Sequence, residues 1–209
     1  MEMDETMIGI IDYDAGNIKS VEKALQSLGQ EIVLTRDKDV LLNADKVILP
    51  GVGAFGDAMD RLNEYGLTDT IKKIVEKNTP FLGICLGLQL LFDSSEEAPG
   101  VKGLGILKGR IVRFPSDMGL KIPQIGWNEL KQPNKGRLFK GIEDGEFVYF
   151  VHSYYLIADD IKDVVATTQY GVTVHASVER GNVFACQFHP EKSSDVGLRI
   201  LRNFIELEV

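Results

Sequence analysis

The chain has two cysteines and three histidines, and one of each stands where chemistry is possible. Gly83-Ile84-Cys85-Leu86-Gly87 follows G-x-C-x-G, the cysteine form of the nucleophile elbow. A nucleophile on such a strand-to-helix turn projects from the carboxyl edge of a sheet, and flanking glycines let the backbone pass without side-chain clash. A helix N-terminus beneath Cys85 favours the thiolate, and a nearby histidine lowers its pKa further. The Leu86 N–H then points at the oxygen of a carbonyl under attack. The pattern by itself also fits a buried structural cysteine in a tight turn.

His189 and Glu191, in Gln187-Phe188-His189-Pro190-Glu191, supply a second part. On an extended segment residues two apart face the same way, so both side chains project to one side. A carboxylate beside an imidazole fixes its tautomer and stabilises its protonated form, and Pro190 stiffens the backbone between them. Alone, the pair also reads as a surface histidine beside a glutamate. With the elbow, it completes a nucleophile, an acid/base and an orienter in chain order Cys, His, Glu. Pro50-Gly51-Val52-Gly53 is the third part: a loop after a strand ending at Leu49, whose N–H groups can complete an oxyanion hole with Leu86. The rival reading, a phosphate loop, lacks the following G-K-[ST] and the Rossmann spacing.

The elements around these residues predict a single α/β domain. Apolar runs at Met7–Asp14, "EIVLT", "KVILP" and Phe81–Ile84 read as strands. Between them, "NIKSVEKALQSLG", Asp37–Leu42, Asp57–Tyr65, Thr68–Lys77 and Leu86–Asp93 read as helices, with Asn17 an N-cap and Gly29 a stop. That alternation predicts a mixed, mainly parallel sheet covered on both faces. After Gly100, "LGILKGRIVRF", "GEFVYFVHSYYLI", "VVATTQY", "VTVHASVER" and "NVFACQFHP" are strand-like with short turns, which predicts antiparallel pairing, before a final helix from Ser194 to Glu206.

The 209 residues suffice for one sizeable core, and 44% hydrophobic with 26% charged residues is ordinary globular composition. A formal charge of −8 argues against nucleic acid as the main partner. No apolar run reaches a membrane span, the acidic start "MEMDETM" is unlike a signal peptide, and two cysteines are too few for a disulfide framework. These features predict a cytoplasmic protein with no membrane partner. His152 and His175 read as structural, Cys186 as a core residue, and no metal site is expected.

With the three segments together, the chain resembles the class I (triad-type) glutamine amidotransferases, and more closely the glutaminase subunits of imidazole glycerol phosphate synthase. The likeness runs through "IDYDAGNIKSV", "LPGVGAFGDAM", "GICLGLQLLF", "IPQIGWN", "YFVHSYY" and "QFHPEKS", nearly the whole chain. It implies a flavodoxin-like domain over residues 1–209 that needs no cofactor. Cys85 would attack the side-chain amide of glutamine, His189 would be the general acid/base, and Glu191 its orienter. The N–H groups of Leu86 and, after loop adjustment, Val52 would hold the oxyanion. Gln89 would contact the substrate, and Ser153 and Tyr154 would bind its amino-acid end through their backbone, with Gly53 nearby. The resemblance further implies a (β/α)8-barrel cyclase partner that receives ammonia through a channel and makes imidazole glycerol phosphate and AICAR. Asn17, Trp127 and Lys192 lie in segments that would form the interface; by composition Asn17 also reads as a helix cap and Trp127 as core. A paralogous glutaminase serving another synthase, such as one aminating nucleotide sugars, fits the same catalytic parts.

Overall fold

A computed structural model describes residues 6–16 and 18–208. Strand and helix alternate through the first half: β1 (Ile8–Ile11), α1 (Ile18–Ser27), β2 (Ile32–Thr35), α2 (Lys38–Leu42), β3 (Lys46–Leu49), α3 (Phe55–Glu64), α4 (Leu67–Glu76), β4 (Phe81–Ile84) and α5 (Leu86–Leu90). β1, β3 and β4 are buried at every position, as parallel strands covered on both faces must be, while β2 is the part-exposed edge. In α1 the buried side chains Ile18, Val21, Ala24 and Leu25 recur at helical spacing. The helix stops at Gly29, whose φ of +78° lets the Gln30 N–H turn back to the Leu25 carbonyl. Asn17, expected as the cap of this helix, lies outside the described residues.

The second half contains β5 (Ser94–Ser95), β6 (Gly109–Arg113), β7 (Gln124–Glu129), β8 (Phe147–His152), β9 (Tyr154–Ala158), β10 (Val164–Tyr170), β11 (Val172–Arg180), β12 (Val183–Cys186) and α6 (Ser194–Ile205). The main sheet has seven strands in the order β10-β11-β12-β4-β3-β1-β2. β10–β11 and β11–β12 are antiparallel as expected, but β12 lies parallel to β4, from Val183↔Phe81 to Cys186↔Ile84. The long crossover between β4 and β12 makes that pairing possible. Its consequence is chemical: the chain leaving β4 at Cys85 and the chain leaving β12 towards His189 emerge side by side at one sheet edge.

Two local expectations are corrected, and one strand is added. The run Gly145–Ile157 is two strands in different sheets, β8 against β7 and β9 against β6, broken at Ser153, whose carbonyl accepts from the Phe114 N–H. β7 is a strand without a strand signal, because its sequence, QIGWNE, mixes polar and apolar residues without a buried run. The elbow helix ends at Leu90 rather than Asp93: Leu91 and Phe92 bond three residues back, and the Asp93 N–H joins the Gly109 carbonyl. One apolar core fills the face of the main sheet under α3 and α4, with Leu62, Ile71 and Phe81. A second fills the face under α1 and α6, with Leu25, Phe184, Ile200 and Phe204.

Candidate active site

Cys85 sits at the junction of β4 and α5 with φ 54° and ψ −107°, a strained backbone for a residue with a side chain. Its N–H donates to the Cys186 carbonyl at 2.8 Å, locking the turn to β12. Both flanking glycines are required by space. A Cβ on Gly83 would lie 2.8 Å from the Gly87 carbonyl oxygen, and one on Gly87 would lie 1.9 Å from that of Leu49. The elbow is therefore compressed between β3 and its own helix.

His189 and Glu191 meet, though not on an extended strand. Pro190–Lys192 forms a 3-10 turn started by proline, with His189 as its extended N-cap. Across this turn His189 Nδ1 bonds Glu191 Oε1 at 2.8 Å, with both side chains almost wholly buried. Because the carboxylate accepts, Nδ1 carries a proton and Nε2 is the ring nitrogen left free of Glu191. Burial alone would pull the imidazole down, but its interactions with Cys85 and Glu191 outweigh that and hold it at about 9. Nε2 makes no well-formed hydrogen bond among the described residues, so Cys85 acts on it through proximity and charge. The other thiol, Cys186, is fully buried and its pKa is pushed well up by that burial, which keeps it protonated.

The loop at residues 50–53, expected to complete an oxyanion hole, is held in one particular state. The Leu86 N–H donates to the Gly51 carbonyl at 3.2 Å, so that carbonyl occupies the direction where a substrate oxygen would sit. In a trans peptide the C=O and the following N–H point opposite ways, so the Val52 N–H is turned from the site. Val52 and Gly53, the latter at φ +112°, nonetheless line the cleft above Cys85.

That cleft, of about 310 Å³, is lined by Cys85, Leu86, Gln89, Glu97, His152, Ser153 and Tyr154 among others. The amide of Gln89 donates to Gln187 Oε1 at 2.9 Å and to the Tyr154 carbonyl at 3.1 Å, and Gln187 Nε2 reaches Cys85 Sγ at 3.7 Å. Three residues here were missed from sequence. Gln187 is a fully buried polar side chain directly after the apolar β12, an incongruity legible in the sequence. Glu97 brings a carboxylate to the cleft, with Oε2 accepting from the Phe55 N–H at 2.8 Å. His152, read from sequence as structural, is on the cleft wall; its Nδ1 donates to the Tyr154 carbonyl at 2.8 Å, and burial lowers its pKa to about 4. It is neutral at physiological pH. Among the described residues no group of His, Cys, Asp and Glu side chains is arranged to hold a metal.

The family model of glutamine amidotransferase class-I matches residues 9–207. The chain belongs to that family. This amidotransferase is 52% identical over 203 residues to the imidazole glycerol phosphate synthase subunit HisH of Syntrophotalea carbinolica, covering 95% of this chain and 98% of the relative. It is 54% identical to the HisH subunit of Geobacillus kaustophilus, over 95% and 96% of the two chains. It is 49% identical to that of Methanocaldococcus jannaschii, over 96% and 100%. A solved glutamine amidotransferase superposes with a TM-score of 0.73 at 25% identity, covering 95% of this chain and 97% of that one. The glutaminase domain of Trypanosoma brucei CTPS, with bound acivicin, shares the fold at TM-score 0.69 and 16% identity, over 98% and 95%.

Of the interface residues expected in the amidotransferase, Asn17 lies outside the described residues, and the other two are exposed. Trp127, 52% exposed and not core, packs edge-on against Tyr149 of β8. Lys192 closes the 3-10 turn that follows His189, which packs against α1 and β8. Tyr149 links the two: its carbonyl accepts from the His189 N–H at 2.9 Å, and its N–H donates to the Ser193 hydroxyl at 2.9 Å.

Proposed function

We propose that Cys85, His189 and Glu191 hydrolyse the side-chain amide of glutamine in this chain, as the glutaminase subunit of an imidazole glycerol phosphate synthase. The observation that carries the reading is the strained elbow at Cys85, joined across the sheet edge to a buried His189–Glu191 pair. Cys85 Sγ attacks the amide carbon, and the oxyanion that forms is held by the N–H groups of Leu86 and Val52. His189 gives its proton to the departing nitrogen, releasing ammonia and leaving a thioester. His189 then takes a proton from water, which attacks the thioester; Cys85 leaves and glutamate forms. The oxyanion step requires the Gly51–Val52 peptide to turn over, freeing the Leu86 N–H now bonded to Gly51.

Substrate would lie in the cleft with its two ends chemically matched. The carbonyls of Ser153 and Tyr154 are already engaged, so their N–H groups are what remains for the substrate carboxylate. The Glu97 carboxylate suits the α-ammonium group. Gln89 uses its N–H groups internally, so its Oε1 is the atom left for substrate, and Gly53 borders the same space. The partner is a (β/α)8-barrel cyclase that takes the ammonia, docking on the side that carries Trp127 and Lys192. The HisH subunits named above favour this partner over a nucleotide-sugar synthase. In a mixture of chain, barrel subunit and its nucleotide, glutamate release should stop in Cys85→Ala, while synthesis from added ammonia continues. Glutamate release at the wild-type rate from Cys85→Ala would overturn the triad.

A further inference from the structure

Residues 12–16, after β1, contribute nothing to the triad, yet they are firmly held. Arg36 Nη2 reaches Asp12 at 3.1 Å and Asp14 at 2.6 Å, and its guanidinium lies 4.3 Å over the Tyr65 ring. The Tyr65 hydroxyl donates to the Asp14 carboxylate, and Arg61 to the Asp14 carbonyl. Between the two anchored aspartates, Tyr13 turns inward and is 1% exposed. Its hydroxyl donates to the Pro50 carbonyl at 2.9 Å. A Cβ on Gly51 would lie 2.1 Å from that same phenol oxygen, and one on Gly16 would lie 2.9 Å from Val52 Cγ2. The anchored segment thus touches the oxyanion loop at Pro50, Gly51 and Val52.

We propose that Tyr13 is a positioning residue for the oxyanion step: its phenol pins the Pro50–Gly51 peptide so that only the next peptide, Gly51–Val52, turns. The proposal deepens the glutaminase reading and rests on Leu86 and Val52 being the oxyanion donors. A single planar peptide turns over by opposite rotations about its two flanking bonds, and it lands in a defined place only when its neighbour is fixed. An oxyanion donor must come within about 2.7–3.1 Å of the developing charge, so a loose neighbour forfeits the bond. Pro50 has no N–H of its own to anchor it, and the Tyr13 hydroxyl holds its carbonyl instead. Burial, together with the charge at Cys85, pushes the phenol pKa up, so Tyr13 remains a hydrogen donor wherever the enzyme works.

If Tyr13 only filled the core, phenylalanine would serve as well. The test is steady-state glutamate release by the complex with the barrel subunit and its nucleotide, for wild type, Tyr13→Phe, Gly51→Ala, the double variant and Cys85→Ala. Tyr13→Phe should lower kcat by about tenfold or more with KM within about twofold, because the oxyanion bond exists only in the transition state. Alkylation of Cys85 by iodoacetamide, which needs no oxyanion hole, should keep its wild-type rate and so show that the fold is intact. Gly51→Ala should be far more damaging in wild type than in the Tyr13→Phe background, where the phenol oxygen it would strike is gone. A Tyr13→Phe kcat within twofold of wild type, or strictly additive effects of the two substitutions, would overturn the role of Tyr13. With Cys85→Ala inactive, that result would count against Tyr13 alone; an active Cys85→Ala would bring down the glutaminase reading beneath it.

Discussion

As the proposed general acid, His189 would deliver the proton on which amide cleavage turns, and its neighbours decide when that proton is present. An unfolded histidine titrates near 6.5, whereas Cys85 and Glu191, against the pull of burial, hold the folded one at about 9. The folded state therefore binds the proton more tightly, and each tenfold gain in proton affinity on folding is worth about 1.4 kcal/mol. The stability this confers is complete below about pH 6.5 and is lost as pH rises through about 9. Urea midpoints of the wild-type chain should fall across that window, and in Glu191→Gln the fall should be smaller and finish at lower pH. The upper limb of kcat/KM for glutamate release should move with it, from near pH 9 in wild type to lower pH in Glu191→Gln. An upper limb unmoved by Glu191→Gln would mean that Glu191 does not set the charge of His189. Only one thiol can take part, since burial keeps Cys186 protonated.

At the scale of elements, the elbow is the point of greatest constraint. α5 has only five residues, too short for a full helix dipole, and the polar neighbour of Cys85 Sγ is Gln187 Nε2 at 3.7 Å. β3, β4 and α5 approach so closely that Gly87 rests against the Leu49 carbonyl. Gly87→Ala places its methyl against backbone, which cannot swing aside as a side chain can. It should lower stability by about 3 kcal/mol or more, the upper end for overpacking, read as a fall in urea midpoint at constant slope. A midpoint unchanged from wild type would show that the elbow can open.

On the scale of the whole molecule, the outer face of the β7–β8 hairpin connects solvent to the catalytic turn. Ile125, Trp127 and Phe147 are 63%, 52% and 52% exposed on that hairpin. Behind them, the Tyr149 backbone holds His189 and Ser193. A bulky exposed apolar face of this kind has the composition of an interface centre. Trp127→Ala should raise the concentration of barrel subunit needed for half-maximal glutamate release by about 10- to 100-fold, as expected for loss of an aromatic anchor. Half-maximal release at the wild-type concentration would place the partner elsewhere. The isolated chain should also be a poor glutaminase, since one absent oxyanion donor is worth about 100- to 1,000-fold in rate and the Gly51 carbonyl now occupies the other. Release from the chain alone as fast as from the complex would exclude that resting state.

Much of this was legible in the sequence because the relevant signals are local. Gly-x-Cys-x-Gly, the two-residue spacing of His189 and Glu191, and the strand–helix rhythm before Gly100 each depend on neighbours in the chain. Turn chemistry and side-chain period act over a few residues. The same locality misled at Gly145–Ile157, where one apolar run serves two sheets, and at His189–Glu191, where Pro190 winds a 3-10 turn in place of an extended segment. What only the tertiary structure decided is long-range. The parallel register of β12 on β4 brings the chain at Cys85 and the chain leading to His189 to one sheet edge, and no local pattern specifies pairing across so many residues. Gln187, Glu97 and His152 join the cleft through packing, and Tyr13 reaches the oxyanion loop from 37 positions away. The orientation of the Gly51–Val52 peptide is furthest from the sequence: it is fixed here by the bond from the Leu86 N–H to the Gly51 carbonyl, between segments 35 residues apart.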